Sequence, residues 1–174
     1  MASKKTSEFI HVEHGFGPCY DSESRVLILG SFPSVKSREV SFYYGHPQNR
    51  FWPLLARFFG TDIPKTVEEK RAFALDNHIA LYDVIESCDI VGSSDAHIKN
   101  PVTTELFPIL RNSKVELIIC NGSTSGKYFT RFQLPNLNHD TPYLVLPSTS
   151  PANAARSLDD LYESWSKALS FLLS

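Results

Sequence analysis

Four short apolar runs recur along the chain with helix-period stretches between them. They are Arg25-Val-Leu-Ile-Leu-Gly30, Ile79-Ala-Leu-Tyr82, Val115-Glu-Leu-Ile-Ile-Cys120 and Tyr143-Leu-Val-Leu146. Runs this short, bounded by Gly, Pro and Asn, fit strands of a mostly parallel sheet, buried on both faces. Between them Trp52, Leu55, Ala56 and Phe59 follow i, i+3, i+4, i+7, with Gly60 as the stop. Thr66-Val-Glu-Glu69 is a capping box: the Thr66 hydroxyl takes one free N–H while Glu69 reaches back to another. Ser157-Leu-Asp-Asp160 opens a last helix in the same way, with a stripe of Leu158, Leu161, Tyr162, Trp165, Ala168, Leu169 and Leu172. The expected fold is α/β, a three-layer α/β/α sandwich around a central, mostly parallel four-stranded sheet.

At roughly 150 residues per domain, a chain of 174 residues is one domain. Residues 1–20 read as a disordered or loosely packed N-terminal segment and 21–174 as the single domain. Met1 to Glu8 is polar and lacks the apolar core of a secretory leader. No run of about 18 apolar residues is present, so no membrane span is expected. Cys19, Cys88 and Cys120 are far apart and odd in number. That argues against a disulfide framework or a thiolate-held zinc or iron–sulfur site, and for a reducing, cytoplasmic setting. The histidines form no i, i+4 pair, so no metal site is expected.

The net charge of −2 hides a local excess. Between Arg25 and Arg57 the chain carries Arg25, Lys36, Arg38, Arg50 and Arg57 against Glu39 alone. A local basic patch is what phosphate contact needs, although a solvated charge cluster looks the same in sequence.

In an open α/β sheet, ligands bind beyond the carboxyl ends of the strands. Three loops leave those ends with a shared composition: Gly30-Ser-Phe-Pro-Ser-Val-Lys-Ser37, Asn121-Gly-Ser-Thr-Ser-Gly126 and Pro147-Ser-Thr-Ser-Pro-Ala-Asn153. Small hydroxyl residues, Gly and Pro let backbone approach a phosphate, or simply make tight turns. Gly122-Ser-Thr-Ser-Gly-Lys127 is not a nucleotide triphosphate loop. Three residues separate its glycines where four are needed, and Tyr128 stands where a magnesium-holding hydroxyl belongs.

The densest segment is Phe42-Tyr-Tyr-Gly-His-Pro-Gln-Asn-Arg-Phe-Trp52. Trp52 falls on the helical stripe and reads as core. Tyr43 and Tyr44 precede the helix and are freer to stack on a base. Asn49 fits a helix cap, and a capped amide can still face a pocket. His46 reads as a structural, hydrogen-bonded histidine in preference to a general base. Asp83 follows a strand, where a carboxylate either reads a polar ligand edge or caps the turn into Val84–Ser87.

Gly30-Ser-Phe-Pro-Ser34, Tyr44-Gly-His-Pro-Gln-Asn-Arg-Phe-Trp52 and Pro147-Ser-Thr-Ser-Pro-Ala-Asn153 together resemble the uracil-DNA glycosylase superfamily. Within it they resemble the hypoxanthine-DNA (deoxyinosine) glycosylase branch. The resemblance runs from Arg25 to the last helix. It implies a monofunctional base-excision enzyme that flips a deaminated base out of DNA and replaces it with water at C1′. No cofactor and no metal are implied. The expected partner is DNA containing a deaminated base, acted on by a monomer in the cytoplasm, at the nucleoid in a prokaryote. The alternatives are a uracil or mismatch-specific glycosylase, and a non-catalytic nucleic-acid-binding domain of the same fold.

Most branches hold the water with an Asp or Asn two residues after the first-motif glycine. Here that position is Phe32, and the resemblance moves water positioning to Asn49. Phe32 and Tyr44 then become walls of the base pocket. Asp83 falls where related branches carry a base-reading Asn, and Asn121 lines the same pocket. Ser148 stands where several relatives have a His that stabilises the leaving base. Ser31, Ser34, Lys36, Arg38, Arg50, Ser148, Ser150, Pro151 and Asn153 are expected at the DNA phosphates or in the loops that meet them.

Overall fold

A computed structural model describes residues 8–91 and 98–174. The chain runs β1 (Ile10–Glu13), β2 (Val26–Gly30), α1 (Val35–Val40), α2 (Phe51–Phe59), α3 (Val67–Asp76), β3 (Ile79–Asp83) and β4 (Ile85–Ile90). It continues through β5 (Lys99–Thr103), α4 (Phe107–Arg111), β6 (Leu117–Asn121), α5 (Ser123–Tyr128), β7 (Tyr143–Leu146) and α6 (Leu158–Leu169).

The four expected strands form one sheet in the order β3-β2-β6-β7, and every neighbouring pair is parallel. Strand β2 is buried along its whole length because it serves two cores. Val26 and Ile28 point to one face, where Leu54, Leu55, Leu161, Trp165 and Leu169 of α2 and α6 cover them. Leu27 and Leu29 point to the other, against Ile109, Leu110 and Phe129. The strand period of 2 thus explains why these runs have no polar alternation. The three-layer α/β/α architecture is that of the sequence reading. Both capping boxes form, at Thr66 with Glu69 and at Ser157 with Asp160. Gly60 ends α2 in the left-handed region, at φ 67°.

A second sheet has no counterpart in the sequence reading. Strands β1, β4 and β5 pair antiparallel in the order β1-β4-β5. Val84–Ser87, read as a turn, instead leads straight from β3 into β4. The outer strands β1 and β5 are largely exposed while β4 between them is mostly buried, and β5 carries Pro101, which suits an edge. No apolar run marks them.

The N-terminal segment also differs from the loose packing expected over residues 1–20. From Ile10 it is built into the fold: β1 pairs with β4, and Cys19 and Leu81 exchange both backbone hydrogen bonds, at 2.9 and 2.8 Å. His14 and Cys19 are buried. Residues 1–7 lie outside the described chain.

Trp165 ties α6 to the loop beyond β7, because its buried indole N–H donates to the Pro147 carbonyl at 2.9 Å. Trp165→Phe removes that donor and leaves a partly filled cavity. We expect it to lower stability by about 1–3 kcal/mol in urea unfolding; an unchanged midpoint would show that the bond contributes nothing.

Candidate active site

Parallel pairing brings the carboxyl ends of the strands to one edge. Gly30 lies opposite Asp83, and Asn121 opposite Leu146. A cleft of about 930 Å³ opens there, lined by Phe32, Tyr44, Asn49, Asp83, Asn121 and the 147–153 loop. The five residues expected to act on the reacting nucleotide therefore share one cavity.

Asn49 is held by its carbonyl oxygen. Oδ1 accepts from the Phe51 backbone N–H and from the Thr149 hydroxyl, both at 2.9 Å. The first bond ties Asn49 to the start of α2, but Asn49 is not the N-cap expected from the sequence: Arg50 holds that position, without a side-chain cap bond. The second was not foreseen. Thr149 is fully buried. Its hydroxyl accepts from Asn121 Nδ2 at 3.0 Å, while its backbone N–H donates to Asn121 Oδ1 at 3.0 Å. Asn121, Thr149 and Asn49 thus form one chain of hydrogen bonds across three loops. With both Oδ1 lone pairs taken, the Nδ2 amino group is the part of Asn49 left to face the cleft. Thr149 sits inside the quoted Pro147–Asn153 motif, but no spacing rule distinguishes it from its serine neighbours.

Asp83 is the last residue of β3 and 4% exposed. His14 Nε2 lies 2.7 Å from its Oδ2, with the imidazole equally buried. Its Oδ1 rests over Gly30. A Cβ at position 30 would stand 2.3 Å from that oxygen, so only glycine leaves room for the carboxylate. Of the two open roles for Asp83, cleft lining is the one this placement favours. His14 was not foreseen; its segment offered no apolar run to place it.

Tyr44 adopts φ 53° and stacks on Phe51 at 3.9 Å between ring centroids. Tyr43 is a core residue, not a free aromatic, and its hydroxyl donates to the Gly17 carbonyl at 2.8 Å. Burial pushes both phenols above their ordinary pKa, so they remain hydroxyls. His46 accepts the Gln48 backbone N–H at Nδ1, which is a turn role.

The expected phosphate ligands separate into two groups. Arg50 is turned inward. Its guanidinium donates to the carbonyls of Thr149 (3.4 Å), Ser150 (2.9 Å), Asn153 (2.9 Å) and Arg156. Four carbonyls converging on one planar cation leave little for a phosphate, so Arg50 shapes the loop. Ser34 caps α1, accepting from the Ser37 N–H. Ser148 and Ser150 accept the N–H groups two residues on, and Asn153 Nδ2 donates to the Ser148 carbonyl. Pro151 lies in this self-bonded turn, and Ser31 is buried beside β4. Lys36 is exposed on α1, and among the described residues it pairs with exposed Glu39, 3.4 Å away. Arg38 is half-buried over the Phe32 ring at 5.7 Å, its Nε out of solvent and without a partner among the described residues.

The Cys120 thiol is pushed up to about 12 by burial. Among the described residues no group of three or more His, Cys, Asp or Glu is placed to hold a metal ion. What the site offers is a fixed amide, a buried carboxylate and aromatic walls, a set suited to orienting a water beside a planar, polar-edged ligand.

Comparison with known proteins identifies a family and a fold. The model of the Uracil DNA glycosylase superfamily matches residues 17–172. The chain is 35% identical over 159 residues to the hypoxanthine DNA glycosylase of Methanosarcina barkeri, covering 90% of this chain and 97% of that one. It is 34% identical over 145 residues to the hypoxanthine DNA glycosylase of Methanosarcina acetivorans, covering 82% and 89%. Its fold matches the solution NMR structure of a Methanosarcina acetivorans protein assigned to the uracil DNA glycosylases. The TM-score is 0.79 at 29% identity, over 95% of this chain and 100% of that one.

If Arg50 is the clamp of the 147–156 loop, Arg50→Gln should free several carbonyls at once. We expect a loss of about 1–3 kcal/mol and faster trypsin cleavage after Arg156. Unchanged melting and cleavage would return Arg50 to the phosphate-binding surface.

Proposed function

This chain belongs to the uracil DNA glycosylase superfamily, and we propose that within it the enzyme removes hypoxanthine from deoxyinosine in DNA. The observation that carries this reading is the Asp83 carboxylate at the cleft, close over Gly30. A carboxylate accepts a hydrogen bond and cannot donate one when ionised. Hypoxanthine presents N1–H to such a group, whereas adenine presents a bare N1 lone pair that it repels. Deamination of adenine creates the donor that Asp83 would read. The names of the two relatives support the same substrate.

The flipped nucleotide would enter between Phe32 and Tyr44, at an unstacking cost of a few kcal/mol that a mispaired base lowers. Asn49 then sets the water. Its carbonyl is saturated by Phe51 and Thr149, so Nδ2–H donates to the water oxygen and leaves another lone pair to meet C1′. An amide used this way orients the nucleophile without deprotonating it. That suits a cleavage in which the glycosidic bond breaks first and water captures an oxocarbenium-like sugar. Thr149 and Asn121 are positioning residues that keep the amide from rotating.

A carboxylate beside the base opposes the negative charge that grows on it as the bond breaks. Asp83 therefore selects the base and does not drive its departure. Uracil presents N3–H in the same sense, which is why the superfamily's uracil activity is the second reading. DNA binding would run through Lys36 and Arg38 on α1, and one chain supplies every part of the cleft, consistent with action as a monomer. No helix among the described residues is long and apolar enough to cross a membrane. A DNA substrate places the enzyme in the compartment of the chromosome.

The test is strand breakage by hot alkali on labelled duplexes carrying one deoxyinosine, one deoxyuridine or no lesion. We expect breakage at deoxyinosine by the wild type, its loss by about two to four orders of magnitude in Asn49→Ala, and a fall of about tenfold or more in Asp83→Asn. Breakage at uracil alone would move the enzyme to the second reading. No breakage at either base would leave a binding domain and reduce Asn49 to a tie at the start of α2. Binding should weaken with salt, and Lys36→Ala should flatten the log–log slope by about one; an unaltered slope removes Lys36 from the phosphate contacts.

A further inference from the structure

We infer that His14, delivered by the N-terminal strand, is the positioning residue that fixes Asp83 as a hydrogen-bond acceptor and thereby sets which bases the cleft takes. The inference rests on the reading of Asp83 as the base-selecting group.

Asp83 and His14 face each other at 2.7 Å, with side chains 5% and 3% exposed. Among the described residues, His14 supplies the one side-chain hydrogen bond that the carboxylate receives. A buried carboxylate oxygen needs a donor, and the donor's position decides which oxygen stays free to accept from a ligand. The ring's other nitrogen decides the tautomer. His14 Nδ1 is buried with no partner among the described residues. A hydrogen there would be a buried donor facing nothing, which costs more than a bare lone pair. The hydrogen therefore sits on Nε2 and points at Oδ2. Asp83 thus receives its hydrogen bond at Oδ2, with Oδ1 turned to Gly30 and left to accept at the cleft.

The ring is fixed for this task. It packs against Phe16 at 4.3 Å and Tyr82 at 5.4 Å between centroids, and presents its edge to Phe32 at 6.3 Å. The His14 backbone N–H donates to the Glu86 carbonyl at 2.7 Å, extending the β1–β4 ladder to the rim of the site. The small antiparallel sheet thus has a function in the active site: it carries His14 to the back of Asp83. The ligand class that follows is a planar base with a ring N–H beside a carbonyl, which separates hypoxanthine and uracil from the adenine and cytosine they derive from; guanine and thymine share the N–H, so pocket shape must reject them.

Two polar substitutions separate this role from general packing. His14→Gln keeps an N–H where Nε2 was; His14→Asn withdraws it to the position of Nδ1. Single-turnover excision of deoxyinosine should stay within about threefold of wild type in His14→Gln and fall about tenfold or more in His14→Asn. In an Asp83→Asn background the His14→Asn change should have no further effect, because a residue acting only through Asp83 has nothing left to act on. Thermal melts establish that each variant is folded. Equal rates for His14→Gln and His14→Asn, or an equal loss in both backgrounds, would overturn the inference. If Asp83→Asn alone excises deoxyinosine at the wild-type rate, the base-reading proposal fails first, and is seen to fail separately.

Discussion

A sheet covered on both faces has only its edges and strand ends for polar groups. That constraint organises this molecule. Strands β2, β3 and β6 are apolar on both sides because helices lie on both sides. Parallel register then aligns their carboxyl ends, and the first polar side chains the chain can afford there, Asp83 and Asn121, come together at one cleft. The same geometry brings the three small-residue loops into contact, although long stretches of sequence separate them.

Loops of Ser, Pro and Gly do not hold a precise shape by themselves. Two devices fix them here. The Arg50 guanidinium gathers four carbonyls of the 149–156 segment, and the Thr149 hydroxyl joins Asn121 to Asn49. Both are built from fully or partly buried groups, where each hydrogen bond is stronger and each unmade one more costly. The cation that the sequence suggested for DNA is thus used to shape a loop at the cleft. The Asn49 amide is oriented from behind through its carbonyl oxygen, which leaves its amino group for the cleft.

The central sheet and its flanking helices were legible because the signals are local. Apolar runs, capping boxes at Thr66 and Ser157, and the stop at Gly60 each act within a few residues. The small sheet was not. Ile10–Glu13 and Lys99–Thr103 are largely exposed strands that both pair with β4, the first across tens of residues, and no local pattern announces such pairing. The histidine behind Asp83 was missed for the same reason, since it belongs to a segment whose composition alone suggests loose chain.

The sequence by itself determined the layered α/β class, the edge of the sheet where chemistry gathers, and the residue types available to perform it. Those follow from hydrophobic period and from which loops leave which strand ends. Tertiary structure decided what each polar group does: that Arg50 turns inward, that the Tyr43 hydroxyl is tied to Gly17 while Tyr44 stacks on Phe51, that Thr149 is a link and that His14 stands behind Asp83. A side chain's role depends on the partners its donors and acceptors meet. Those partners lie tens of residues away, and only folding brings them within hydrogen-bond distance.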